Sequence, residues 1–273
     1  MKLHFACLFG LSYDRDLLGH FLAHYKDIPF ESSMLFFHGD YDKDVFEQTR
    51  DAGFNATFVN GEFRDGTLRS MVLRPFCTSL PKGDKVMIVD SDEFVSIQSD
   101  FMDAVADNDV VTGTLWDRYS DRLHPADPDI PLSLQYCYTG DFYKVIAKCE
   151  GNVAGVRRKV ITCNTELEIN LIGSHYLMCE IRDKFRNPDS HIARIHKPMD
   201  NHPDLKYHTR RIPIMHYSFR DSIIERMGGK SYFTMSQICN VARYYGVPLE
   251  DIRVQQVKEK FDAIQQSMGW VPA

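Results

Sequence analysis

K-V-M-I-V-D-S-D-E-F-V, residues 85–95, is a short apolar run that ends abruptly in acid. Val86, Met87, Ile88 and Val89 follow the turn-forming Pro81-Lys82-Gly83-Asp84 and lead into Asp90, Ser91, Asp92 and Glu93. A run this short, apolar on both faces and opened by a turn, predicts a buried central strand. Carboxylates at the carboxyl end of such a strand stand where open α/β sheets bind ligands. Like charges crowded there repel one another unless a proton or a cation compensates. A hard divalent ion with oxygen ligands is the simplest compensation. The plainer alternative is a solvated acidic loop after a strand, because D-x-D by itself is a weak motif.

Upstream of this run, strand and helix patterns alternate. Residues 3–9 read as a strand. Residues 14–27 read as a helix, with Leu17, Leu18, Phe21, Leu22 and Tyr25 on one face. A strand at 34–37 ends in His38-Gly39-Asp40. A helix at 43–52 is closed by Gly53. A strand at 56–59 precedes a helix at 67–80 that carries Leu68, Met71, Val72 and Phe76. Three such βα units followed by the strand at 86–89 predict a largely parallel sheet. No G-x-G-x-x-G and no G-x-x-x-x-G-K-[ST] occurs at these turns, which disfavours dinucleotide and P-loop chemistry.

Beyond residue 95 the pattern changes. A short helix is expected at 101–106, and a strand at 110–115 runs into Trp116-Asp117-Arg118-Tyr119. A loop with Pro125, Pro128 and Pro131 follows, then strand-like pieces at 135–138, 159–163 and 169–177. Residues 197–211 are polar and basic, with His202, Lys206, His208, Arg210 and Arg211. A last strand at 212–215 leads into His216-Tyr217-Ser218-Phe219-Arg220. The remainder is helical. Val254, Val257, Phe261, Ile264 and Met268 form one apolar stripe, too short for a coiled coil and suited to docking on the body. The expected division is a main domain at 1–218 and a helical extension at 219–273.

Composition narrows the class. A net charge of −6 over 273 residues argues against nucleic-acid binding. Hydrophobic content of 44% and charged content of 26% are those of a soluble globular chain. No apolar run approaches the length of a membrane span. The amino-terminal segment, basic and then apolar but broken by His4, reads as a first buried strand and not as a signal peptide. Seven scattered cysteines without a C-x-x-C predict reduced thiols and a cytoplasmic setting, with no zinc site.

Taken together these segments resemble the GT-A fold of nucleotide-sugar glycosyltransferases, in its family 2-like and family 92-like branch. The resemblance spans roughly residues 1–226. It rests on D-L-L-G-H-F-L-A-H-Y at 16–25, V-M-I-V-D-S-D-E-F at 86–94, the pair Asp117-Arg118, and H-Y-S-F-R at 216–220. Leu11-Ser12-Tyr13-Asp14 stands where such proteins often carry an Arg-Asn-Glu-like segment. The resemblance implies an α/β fold with a mostly parallel central sheet, helices on both faces, a mixed carboxyl-terminal half and a carboxyl-terminal helical extension. It implies transfer of a sugar from a nucleotide-diphosphate sugar, a UDP-sugar first among the donors, to a glycan or other hydroxyl acceptor, with inversion.

The chemistry of such a transfer suits these residues. The leaving nucleoside diphosphate develops negative charge, which Mn²⁺ or Mg²⁺ stabilises. Asp92 is the expected direct ligand. Asp90 is expected at the ribose, or at the metal through water, and Glu93 beside the metal or facing the acceptor. His216 would complete the metal's shell, with His175 as its competitor and a hydrogen-bonded strand-end histidine as the plainer reading. Inversion needs a base, for which Asp117 is the first candidate and Glu166 and Glu168 the alternatives. An Asp117–Arg118 ion pair is the structural alternative. Arg69 and Arg220 could reach phosphate, although Arg69 reads more simply as part of a solvated helix face. Two other classes stay open. A haloacid-dehalogenase-like phosphatase also ends a strand in D-x-D, but carries Thr or Val where Phe94 stands. A non-catalytic nucleotide- or glycan-binding relative would keep the fold without turnover.

Overall fold

A computed structural model describes residues 1–61, 67–142, 146, 158–165, 168–169, 177–178, 205–208, 210, 212–228 and 234–267. Its centre is β1 (Leu3–Gly10), buried along its whole length. β1 pairs in parallel with β2 (Ser32–His38) on one side and β4 (Lys85–Asp90) on the other. β3 (Asn55–Val59) adds in parallel outside β2. A strand buried on both faces needs apolar side chains throughout, which is why the runs at 3–9 and 86–89 lack alternation.

Helices cover both faces of this parallel half. A short α1 (Leu11–Asp14) and a 3₁₀ turn at Arg15–Leu17 precede α2 (Leu18–Tyr25), where one continuous helix from residue 14 was expected. From α2, Phe21 and Tyr25 meet Phe5 of β1 with ring centroids 6.1 and 5.1 Å apart. On the other face α4 (Thr67–Ser79) buries Leu73 against Ala6, Val86 and Ile88. α3 (Lys43–Asp51) is capped by Asp42, whose carboxylate accepts from the backbone N–H groups of Asp44 and Val45.

The sheet then turns antiparallel. β8 (Arg158–Asn164) pairs antiparallel with β4 and with β6 (Val110–Tyr119), the latter ladder shifting register between Val111 and Thr112. The full order is β3-β2-β1-β4-β8-β6-β11-β5, with β11 at Ile212–Phe219 and β5 at Glu93–Val95. Gly113 of β6 admits no side chain, because a Cβ there would lie 2.6 Å from Ile214 and 2.7 Å from Ile161. α5 (Phe101–Asp107) precedes β6. A small antiparallel pair joins β9 (Glu168–Ile169) to β10 (Leu177–Met178), where a single strand at 169–177 was expected.

The chain divides into two compact units, Met1–Leu115 with Val156–Met215, and Trp116–Gly155 with His216–Ala273. β6 and β11 run across both boundaries, so Asp117 and His216 lie inside strands and not beyond their ends as the sequence suggested. The extension of β6 comes from β7 (Tyr138–Gly140), which pairs Asp117 with Gly140 and Tyr119 with Tyr138. The strand expected at 135–138 gives way to α6 (Leu132–Gln135), with Pro131 just before its first residue.

The second unit has its own core. α7 (Ile223–Gly228), α8 (Met235–Tyr244) and α9 (Ile252–Ser267) gather Ile223, Ile224, Ile238, Val241, Val254 and Val257 around Phe142 and Phe219. A capping box between Thr234 and Gln237 starts α8. Val254 and Val257 dock as the stripe predicted; the side chains of Phe261, Ile264 and Met268 lie outside the described residues. Among the described residues no helix is long and apolar enough to cross a membrane.

Candidate functional site

In the first unit the site grows from the end of β4. Parallel pairing with β1 sets Asp90 opposite Leu8. Ser91 and Asp92 make the turn, and Glu93 opens β5. Ser91, Asp92 and Glu93 are all buried, which excludes the solvated-loop reading. About a third of the Asp90 side chain (32%) remains exposed.

Two cations converge on this turn. Arg69 of α4 reaches Asp90 Oδ1 with Nη2 at 2.9 Å. Lys159 of β8 donates to Asp90 Oδ2 and meets Glu93 Oε1 with Nζ at 2.5 Å. Glu93 Oε2 in turn accepts the backbone N–H of Asp90 at 3.1 Å. Asp90, Glu93 and Lys159 therefore close a ring around the turn. The solvated-face reading of Arg69 is corrected here: its side chain is buried against Asp90. A buried guanidinium needs an anion, and Asp90 supplies one.

Two further bonds hold the turn. Ser91 Oγ donates to Asp14 Oδ2 at 2.5 Å. The Tyr25 hydroxyl donates to the Glu93 carbonyl at 2.8 Å and accepts the Val95 N–H at 3.0 Å.

The electrostatics follow from these partners. Burial by itself would raise the Asp90 carboxyl, but the charges of Arg69 and Lys159 outweigh it and hold Asp90 well below the usual carboxylate range. Burial would lower the Lys159 ammonium; Asp90 and Glu93 reverse that and raise it. Cys7, beside the same carboxylates, has its thiol pushed well up, first by burial and then by Asp90.

Lys159 was not among the residues singled out from the sequence. The available signal was a lysine within the apolar run Lys159-Val160-Ile161. A charge buried there requires a partner.

In the second unit, Asp117 of β6 is buried. Its Oδ1 accepts Nδ1–H of His216 at 2.9 Å, and its Oδ2 accepts the backbone N–H of Phe142 at 2.9 Å. Arg118, the suggested ion-pair partner, instead donates through Nε to the Tyr136 carbonyl at 2.9 Å and through Nη2 to the Ser133 carbonyl at 3.1 Å. Neighbouring residues on a strand project to opposite faces, so Asp117 and Arg118 part company. Arg220 is buried and donates to the Tyr217 carbonyl.

The candidates thus fall into two groups, each within its own unit. Arg69, Asp90, Asp92, Glu93 and Lys159 belong to the first; Asp117, His216 and Arg220 belong to the second. Glu166, His175, His202 and the Glu168 side chain lie outside the described residues. His208 is half-buried and donates its backbone N–H to the Val110 carbonyl at 3.0 Å.

No family model matches the chain, and no curated protein matches it. Among solved structures, 4-diphosphocytidyl-2C-methyl-D-erythritol synthase is similar at a TM-score of 0.34 and 13% identity, covering 60% of this chain and 76% of that one. TarS of S. aureus, residues 1–349, is similar at 0.34 and 15%, covering 98% and 72%. The galactosyltransferase LgtC, solved with donor and acceptor sugar analogs, is similar at 0.29 and 13%, covering 60% and 58%. Likeness at this level adds no weight to any functional assignment.

Proposed function

We propose that the chain is a metal-dependent glycosyltransferase that moves a sugar from a nucleotide-diphosphate sugar, a UDP-sugar first, to the hydroxyl of a glycan or other acceptor. The observation that carries the reading is the Asp90-Ser91-Asp92-Glu93 turn. It is acidic, buried from Ser91 to Glu93, braced by Arg69 and Lys159, and placed at the carboxyl end of a central parallel strand, where open α/β sheets bind ligands. A phosphatase of the haloacid-dehalogenase kind finds no support, since the D-x-D here ends the fourth strand and not the first.

The donor atoms suit Mn²⁺ or Mg²⁺. Asp92 offers hard carboxylate oxygens, and an imidazole such as His216 tilts the preference toward Mn²⁺. Asp92 and His216 are proposed as ligands, with Asp90 turned to the ribose or acting through water. A divalent ion held there would supply positive charge to the leaving diphosphate. Arg69 keeps Asp90 ionised and oriented, and Arg220 is proposed for phosphate. Asp117 holds the imidazole of His216 in one tautomer. The acceptor's proton falls to a carboxylate, for which Asp117, Glu166 and Glu168 are the candidates.

Thermal melting against a panel of nucleotide sugars, with and without Mn²⁺, tests the reading. A ligand at a hundredfold its Kd stabilises the native state by about 2.7 kcal/mol. A UDP-sugar should raise Tm only when Mn²⁺ is present, and donor hydrolysis should show the same dependence. No shift with any nucleotide sugar would end the proposal. Binding without hydrolysis or transfer would favour the non-catalytic relative.

A further inference from the structure

We infer that Lys159 is a built-in cation, seated between Asp90 and Glu93, that confines divalent-ion ligation at this strand end to Asp92. The inference rests on the reading of Asp92 as a metal ligand given above.

The geometry is that of an occupied cation position. Lys159 Nζ lies 2.5 Å from Glu93 Oε1 and also contacts Asp90 Oδ2, with its side chain only 3% exposed. A divalent ion of the Mg²⁺ class takes oxygen ligands at about 2.0–2.1 Å. An ion bound to these two oxygens would overlap the ammonium, so the two occupants exclude each other. An ammonium is a compact point charge with three donors, suited to bridging two carboxylates. Arg69 does not compete for the position, because it approaches the opposite oxygen of Asp90, Oδ1. The acid at the turn is therefore compensated in part by the chain itself, where the sequence suggested a divalent ion as the simplest compensation.

The position of Lys159 has a topological cause. β8 runs antiparallel to β4 with Met87 opposite Thr162. Three residues forward on β4 and three back on β8 bring Asp90 alongside Lys159.

The test is the affinity of the whole chain for Mn²⁺ alone, read from the free-ion electron paramagnetic resonance signal. Removing one positive charge next to a divalent site favours the ion. Lys159→Met should therefore bind Mn²⁺ at least about tenfold more tightly than the wild type, while Lys159→Arg, which keeps the charge, should not. A folded Lys159→Met that binds Mn²⁺ equally or more weakly overturns the inference, as does an Arg variant that gains affinity like Met. If Lys159→Met does not fold, Glu93→Gln with Lys159→Met removes a balanced charge pair. That double variant vacates Asp90 Oδ2, which Lys159 holds in the wild type, so it should still bind Mn²⁺ more tightly than the wild type, and equal or weaker binding overturns the inference. A wild type that binds no Mn²⁺ beside a Lys159→Met that does would end the metal-dependent reading and, with no ion on Asp92, overturn the confinement to Asp92 as well; a wild type that binds Mn²⁺ as tightly as Lys159→Met overturns the inference alone.

Discussion

His216 and Asp117 share a hydrogen bond of 2.9 Å, from Nδ1 of the imidazole to Oδ1 of a carboxylate whose other oxygen accepts the Phe142 N–H. With the carboxylate oxygen accepting, a proton lies on Nδ1, and a neutral ring held this way presents its lone pair at Nε2. Imidazoles that ligate metals are held in this way.

Asp117→Asn should disturb that arrangement. An amide offers one oxygen, so its NH₂ group must face either Nδ1–H of His216 or the Phe142 N–H. The expected result is a lower Tm, a raised Mn²⁺ requirement and slower transfer, all together. Tm, donor affinity and Mn²⁺ titration should be measured on the one variant. A fall of roughly 10² to 10⁴ in transfer alone, the usual worth of a general base, would instead make Asp117 the base. Glu166→Gln would then be expected to retain activity.

His216→Ala should raise the Mn²⁺ concentration for half-maximal activity by about ten- to a hundredfold, the range seen when a metal's supporting groups are lost. Combined with Asp117→Asn it should add little, since both act on one imidazole. An unchanged metal titration with full activity would return His216 to a structural role.

Asp92→Asn should lower turnover by about a hundredfold or more, on the order of 3 kcal/mol of transition-state stabilisation. Asp92 sits in a turn at a strand end, so the fold should persist, as circular dichroism would show. Normal activity of this variant in excess chelator would remove the metal from the mechanism.

The acid limb of stability should report Arg69. The folded Asp90 carboxyl titrates below its ordinary value, burial being outweighed by Arg69 and Lys159. A depressed folded value makes a contribution that is present above the unfolded carboxylate value, about 3.9. That contribution is lost as pH falls toward the folded value. Arg69→Met removes one of the two cations, so its acid unfolding should begin at higher pH than that of the wild type. Superimposable acid limbs would show that Arg69 does not hold Asp90.

Local order was legible in the sequence. Apolar runs without alternation at 3–9 and 86–89 announced strands buried on both faces, and both are central. Their alternation with amphipathic stretches announced the parallel half, and the break after Val89 placed Asp90 at the ligand-binding end of β4. Such features depend on the residues of one segment and the side it buries, so they survive without knowledge of neighbours.

What only the tertiary structure decided were the pairings. Lys159 joins Asp90 from 69 residues downstream, and His216 joins Asp117 from 99. These contacts follow from the antiparallel register of β8 on β4 and from β6 and β11 lying side by side in the sheet. A strand's period of two tells which residues share a face but not which distant strand lies beside it. For the same reason Arg69 could be placed on a helix but not on the buried side of it. The charge that compensates Asp90 was present in the sequence as Arg69 and Lys159, and folding identified its partners.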